Sequence, residues 1–135
     1  CSSRSSCVAS TDDLKLLQDA LKNSQIDCLT TLHQPSSPLN KEVAFYDAAY
    51  GCESLNIALP LYYTKFVKSG LISMSTLIKM TVHNPAKSIS YQAGEIKVGT
   101  QAKAVLFDTN EQFTITNKQS LYNGEQITGK VINSF

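Results

Sequence analysis

At 135 residues, with twelve Lys and Arg against eleven Asp and Glu, the chain holds one domain of ordinary size at a net charge of +1. The charges are interspersed, which leaves no electrostatic footprint for nucleic acid or an anionic membrane. No apolar run approaches a signal sequence or a membrane span, so a cytoplasmic location is the default expectation.

Residues 1 to 9 open with Cys1-Ser2-Ser3-Arg4-Ser5-Ser6-Cys7, which has no apolar periodicity and is expected to be a disordered tail. A first residue of Cys rather than Met suggests a processed, tagged or truncated product. Thr11 or Asp12 then caps a helix running to about Asn23, with Leu14, Leu17 and Leu21 building one apolar face. Lys15, Gln18, Asp19 and Lys22 form its polar side, as on an outer helix.

Ile26 to Thr30 reads as an apolar strand, and Cys28 within it as a small buried hydrophobe. The four cysteines, Cys1, Cys7, Cys28 and Cys52, form no C-x-x-C pair. A Cys-His dyad of Cys28 or Cys52 with His33 ranks below the structural reading, since nothing in the spacing favours it. Residues 32 to 44 contain Pro35, Ser36, Ser37, Pro38 and Asn40 and are expected to be a loop of functional length.

From Ser54 to Val67, Leu55, Leu59, Tyr62 and Phe66 recur at helical spacing, with Pro60 accommodated by a kink or an irregular turn. Ser69-Gly70 ends that helix. Ser73 opens the next, Met74 to Val82, with Met74, Leu77, Ile78 and Thr81 inward. His83 reads as a helix-end residue, and Asn84-Pro85 as the cap and first position of a short helix. After Gly94 the period becomes that of strands, at Val105 to Phe107, Phe113 to Thr116 and Ile127 to Ile132, separated by turns such as Asn123-Gly124. Gly94-x4-Gly99 lacks a following Gly-Lys-Ser/Thr, so a nucleotide-binding loop has little support.

The segment Thr31-Leu32-His33-Gln34-Pro35-Ser36, directly after the apolar strand, carries the strongest functional signal. It resembles the Thr-Asp-His-x-Pro-His motif at the end of the eighth barrel strand of zinc amidohydrolases, most closely dihydroorotases. The likeness continues through residues 45 to 53, with Gly51-Cys52-Glu53, and through Leu59-Pro60-Leu61, Asn84-Pro85-Ala86-Lys87, Gly94 to Thr100 and Val105 to Asp108, in order and with fitting spacing. It covers residues 11 to 131. The implied fold is α/β, the C-terminal part of a (β/α)8 barrel (its last strand and the following helices) plus short β-strands of a small composite β domain. Residues 10 to 90 would be the barrel unit and helices, and residues 91 to 135 the β appendage. A complete barrel takes about 250 residues. Alone, the unpaired edges and apolar helix faces should leave the chain marginally stable.

The resemblance also marks departures. Leu32 stands at the family's Asp and Ser36 at its second His, while Ala102-Lys103 replaces a usual Ala-Asp, and Ser5 and Ala9 fall where a substrate loop has Asn and Arg. Leucine has no lone pair with which to ligate a metal or take a proton. No catalytic residue is expected to be retained, and His33, Pro35, Ser36 and Gly51 are expected as remnants of the substrate loop. The family uses zinc, but with His33 and His83 as the only histidines, no H-x-H and no strand-eight carboxylate, no metal site and no cofactor are expected in this chain.

Three functions follow from the resemblance. The first is a non-catalytic dihydroorotase-like scaffold, partnered with aspartate transcarbamoylase or with itself. The second is part of an active cyclic-amide hydrolase with its other ligands upstream, in which Asp27, Asp47 or Glu53 replaces the lost Asp. Asp27 fits poorly, since on a strand it would lie about 17 Å from Leu32. The third is a truncated product without function of its own, or an isolated interaction module.

Overall fold

The computed structural model describes residues 10–44, 46–49, 51–92, 96–118 and 120–135. The tail expected over residues 1–9 lies outside the described residues, as do Phe45, Tyr50, Gly94 and Glu95 of the motifs above.

Helix α1 spans Thr11–Lys22. Its cap is Ser10 rather than Thr11 or Asp12: Ser10 has an extended backbone, and its hydroxyl oxygen accepts the Asp13 N–H at 3.1 Å. Asp12 and Asp13 in the first turn and Lys22 in the last complement the helix dipole. Of the expected apolar face only Leu21 is buried, while Leu14 and Leu17 remain 47% and 49% exposed.

The expected strand at Ile26 to Thr30 has no regular structure. A strand needs a ladder on a neighbouring strand, and this segment instead makes single bonds to the helices: Leu29 N–H to the Met80 carbonyl at 3.0 Å, and the Asn84 side-chain amide to the Asp27 carbonyl at 2.8 Å. Ile26 and Leu29, three residues apart, pack inward, which turns Cys28 out to solvent instead of burying it.

Within the expected loop, Pro38–Lys41 forms a single helical turn, α2. The next helical run opens with a 3-10 turn at Leu55–Ile57, becomes α3 at Ala58–Tyr62 and ends as a π turn at Tyr63–Lys68. Pro60 falls in the first turn of α3, where a missing N–H costs little. At Gly70, with φ +76°, the run stops: Ile72 N–H reaches back to the Phe66 carbonyl and Gly70 N–H to the Val67 carbonyl.

Helix α4, Met74–Ile78, is capped as expected by Ser73, whose hydroxyl accepts the Thr76 N–H at 3.1 Å. It runs through a π turn at Lys79–His83 directly into α5, Asn84–Ser88. Asn84 is therefore helical rather than a cap, and Pro85 still occupies an opening position of α5. Leu77 and Met80 form the buried face, whereas Ile78, about 100° round the helix from Leu77, is exposed rather than inward. Leu21, Ile72, Leu77 and Met80 make the first core cluster.

Strands β1 (Val105–Thr114) and β2 (Gln126–Ser134) pair antiparallel, from Val105 with Ser134 to Thr114 with Gln126. Two of the expected short strands are thus one, because a register shift between Asp108 and Gln112 absorbs the polar residues between them. Asp108 accepts the Asn110 N–H at 2.8 Å inside this irregularity. Gly124, φ +86°, closes the turn with its N–H on the Ile115 carbonyl at 2.7 Å.

The hairpin packs on the helical run from Leu55 to Lys68. Leu61, Ile115 and Ile127 form a second core cluster, and Tyr63 meets Phe107 edge to face at 5.4 Å. The Thr64 hydroxyl accepts the Thr128 N–H at 2.8 Å, Lys68 donates to the Thr128 hydroxyl at 2.7 Å, and Lys65 pairs with Glu125 at 2.6 Å. No helix among the described residues is long and apolar enough to cross a membrane.

Candidate functional site

The turn at residues 31–36 lies against residues 51–55. Leu32 sits in the left-handed region at φ +44°, uncommon for a side chain of this bulk, and its side chain is 66% exposed. Half-buried His33 accepts the backbone N–H groups of Ser54 and Leu55 on Nδ1, each at 3.2 Å. These are orphan donors at the start of the 3-10 turn, and His33 caps them from a distant part of the chain. Ser54 is buried, and its hydroxyl donates to the Thr31 carbonyl at 3.0 Å, while Gln34 N–H donates to the Cys52 carbonyl at 3.1 Å.

Gly51 completes the contact. Its φ of +92° favours glycine, and a Cβ there would lie 2.6 Å from the Gln34 carbonyl oxygen. Lys41, at the end of α2, is 6% exposed, and its ammonium donates to the carbonyls of Ala49, at 3.2 Å, and Gly51. Among the expected site residues, the structure thus brings His33 and Gly51 into one bonded unit, leaves Pro35 exposed and half-buries Ser36. Ser54 and Lys41 were missed. The Ser54 hydroxyl does not cap the 3-10 turn it precedes, and carbonyl partners distant in sequence leave no signal for Ser54 or for Lys41.

The bonding of His33 decides its chemistry. A neutral imidazole that accepts on Nδ1 carries its proton on Nε2, so it offers no second lone pair to a metal ion or a thiol. Leu32 beside it supplies no donor. The Glu53 carboxylate lies 3.3 Å from the Asn56 amide, to which it is hydrogen-bonded, and Asp47 is exposed. Among the described residues no three His, Cys, Asp or Glu side chains converge as a metal site. The described residues do not fit the zinc that the resemblance implies, and no chemical step is routed through it here.

No family model matches the chain. It is 36% identical over 115 residues to a dihydroorotase-like protein of Helicobacter pylori, covering 85% of this chain and 30% of that protein. It is 34% identical over 125 residues to a dihydroorotase of Elusimicrobium minutum, covering 91% and 29%. Its fold superposes with a TM-score of 0.82 on the L-hydantoinase of Arthrobacter aurescens, at 25% identity, over 93% of this chain and 31% of that one. The chain therefore spans about 30% of the length of the relatives it matches. Its mixture of helix and strand agrees with part of that fold. By these likenesses the chain belongs to the dihydroorotase-like proteins of the amidohydrolase superfamily and corresponds to a C-terminal portion of them.

Proposed function

We propose that the turn at residues 31–36 is a strand-eight catalytic turn converted to a structural one, in a dihydroorotase-like protein that assembles with a partner instead of hydrolysing a cyclic amide. In this reading Leu32 occupies the place of the catalytic Asp, and residues 26–30 are the last barrel strand, awaiting its neighbours. The β1–β2 hairpin is the part of the composite β domain that follows residue 90. The observation that carries it is the His33 imidazole, whose Nδ1 is committed to two backbone amides next to an exposed leucine. Aspartate transcarbamoylase, or a second copy of the protein, is the proposed partner.

A second reading, an active zinc-dependent hydrolase of dihydroorotate or a hydantoin, is favoured by the dihydroorotase and L-hydantoinase identities of the relatives. The test is to measure bound zinc and ring opening of dihydroorotate and hydantoin in the native protein purified from its source cells, and then to mix it with aspartate transcarbamoylase in size-exclusion chromatography. Background turnover, no stoichiometric zinc and co-elution are expected. Zinc-dependent turnover would establish the second reading, and separate elution from the transcarbamoylase with no self-association would remove the scaffold role.

A further inference from the structure

A lysine at 6% exposure is unusual, because a buried ammonium is costly unless hydrogen bonds replace its hydration. Lys41 meets that demand with main-chain oxygens, those of Ala49 and Gly51, eight and ten residues further along the chain. The loop is drawn together at the same point by Ala49 N–H on the Asn40 carbonyl, at 2.9 Å. The Gly51 end of this arrangement bears on the candidate site. Gly51 makes the close approach to Gln34, the neighbour of His33, and the next residue, Cys52, takes the Gln34 N–H on its carbonyl. Two and three residues beyond Cys52, Ser54 and Leu55 present their N–H groups to His33 Nδ1.

We infer that Lys41 is a positioning residue: by holding the carbonyls of Ala49 and Gly51 it sets where the Gly51 turn lies, and through that turn it fixes the imidazole of His33 and its tautomer. The inference goes beyond the proposed function and holds whether or not the whole protein is catalytic. A hydrogen bond with a charged donor is roughly twice as strong as a neutral one, and here one charge serves at least two acceptors on the loop that must stay registered with the turn at residues 31–36. A methionine of similar length would fill the volume and hold neither carbonyl.

The test uses the native protein and its K41M variant, with amide hydrogen exchange and the ¹⁵N signals of the His33 ring. K41M should speed exchange at Gln34, Ser54 and Leu55 by about tenfold or more, the loss expected from a charge-assisted hydrogen bond, and leave α4 and α5 unchanged. The His33 signals should move from a single Nε2–H form towards a mixture of tautomers. Unchanged exchange and tautomer, or acceleration spread evenly over the molecule, would overturn the inference.

Should K41M fail to fold, acylation of the native protein decides. Lys41 should then react at least about tenfold more slowly than exposed Lys22, Lys79 and Lys87, in keeping with an opening equilibrium. Its rate should rise with added urea in step with exchange at Ser54. Reaction at the rate of the exposed lysines, or a rate that ignores Ser54 exchange, would overturn it.

Discussion

The helical run from Leu55 to Lys68 is fixed at two places by different means. Along its side, Leu61 clusters with Ile115 and Ile127 of the hairpin segment, and Thr64, Lys65 and Lys68 make polar contacts with Thr128 and Glu125. At its start, the contact with the turn at residues 31–36 consists of hydrogen bonds around His33, Ser54 and Gln34, with Gly51 as the point of closest approach. The first contact is a core, in which buried area and several bonds act together, so a change there should be felt by the whole molecule. The second has few parts, so single changes should be felt locally.

The seam with the hairpin should show the largest single effect. Ile127 is 1% exposed, and Ile127→Ala should cost about 2–5 kcal/mol through lost burial and the cavity left behind. A denaturant titration reads this directly, and a loss below about 1 kcal/mol would mean that the hairpin cluster is not a stabilising core. At the other contact, Gly51→Ala should cost about 1–3 kcal/mol, since a Cβ at φ +92° meets Gln34. Exchange should accelerate first at Gln34, and a neutral effect would show that the two segments do not touch as described.

His33→Ala should cost less, about 1 kcal/mol, at the low end for a lost acceptor because water reaches the exposed Leu55. His33→Ala should also leave the hairpin's exchange untouched, and a response of the hairpin would erase the distinction between the two contacts.

These effects bear on what the sequence could and could not reveal. The stop at Gly70 and the cap at Ser73 were legible because local chemistry alone satisfies those helix ends. Ile26 to Thr30 forms no strand in this chain because apolar composition says nothing about a neighbouring ladder, and its bonds to the helices run singly to Met80 and Asn84. The sequence pattern divides β1 into two strands because Asp108 to Glu111 has turn chemistry, which a bulge accommodates inside one strand. At the site, the motif residues His33 and Gly51 were visible. The roles of Lys41 and Ser54 depend on carbonyls and amides distant in sequence, which no residue pattern encodes.

The smallest expected effect is alkaline and falls on two half-buried tyrosines, Tyr62 against the first core cluster and Tyr122 against the second. Tyr62 is pushed above its ordinary value of 10.0, first by burial and then by Tyr122. Tyr122 is pushed up by burial, then by Cys52 and Glu125, against an opposing effect of Lys65. The neutral phenols are favoured in the folded state, so their contribution is complete below pH 10.0 and is lost as the pH climbs through the raised values. Melting temperature should therefore fall above pH 10.0, and Tyr62→Phe with Tyr122→Phe should flatten that limb. An unchanged limb in the double variant would place the alkaline loss elsewhere.

The most direct measurement of the claim that His33 holds the backbone instead of a metal is the ¹⁵N spectrum of its ring as zinc is titrated into the native protein. The expected result is an Nδ1 signal characteristic of a hydrogen-bonded lone pair, unmoved by zinc. A zinc-dependent shift at His33, saturating at one ion per protein, would contradict it and make the turn at residues 31–36 part of a working metal centre.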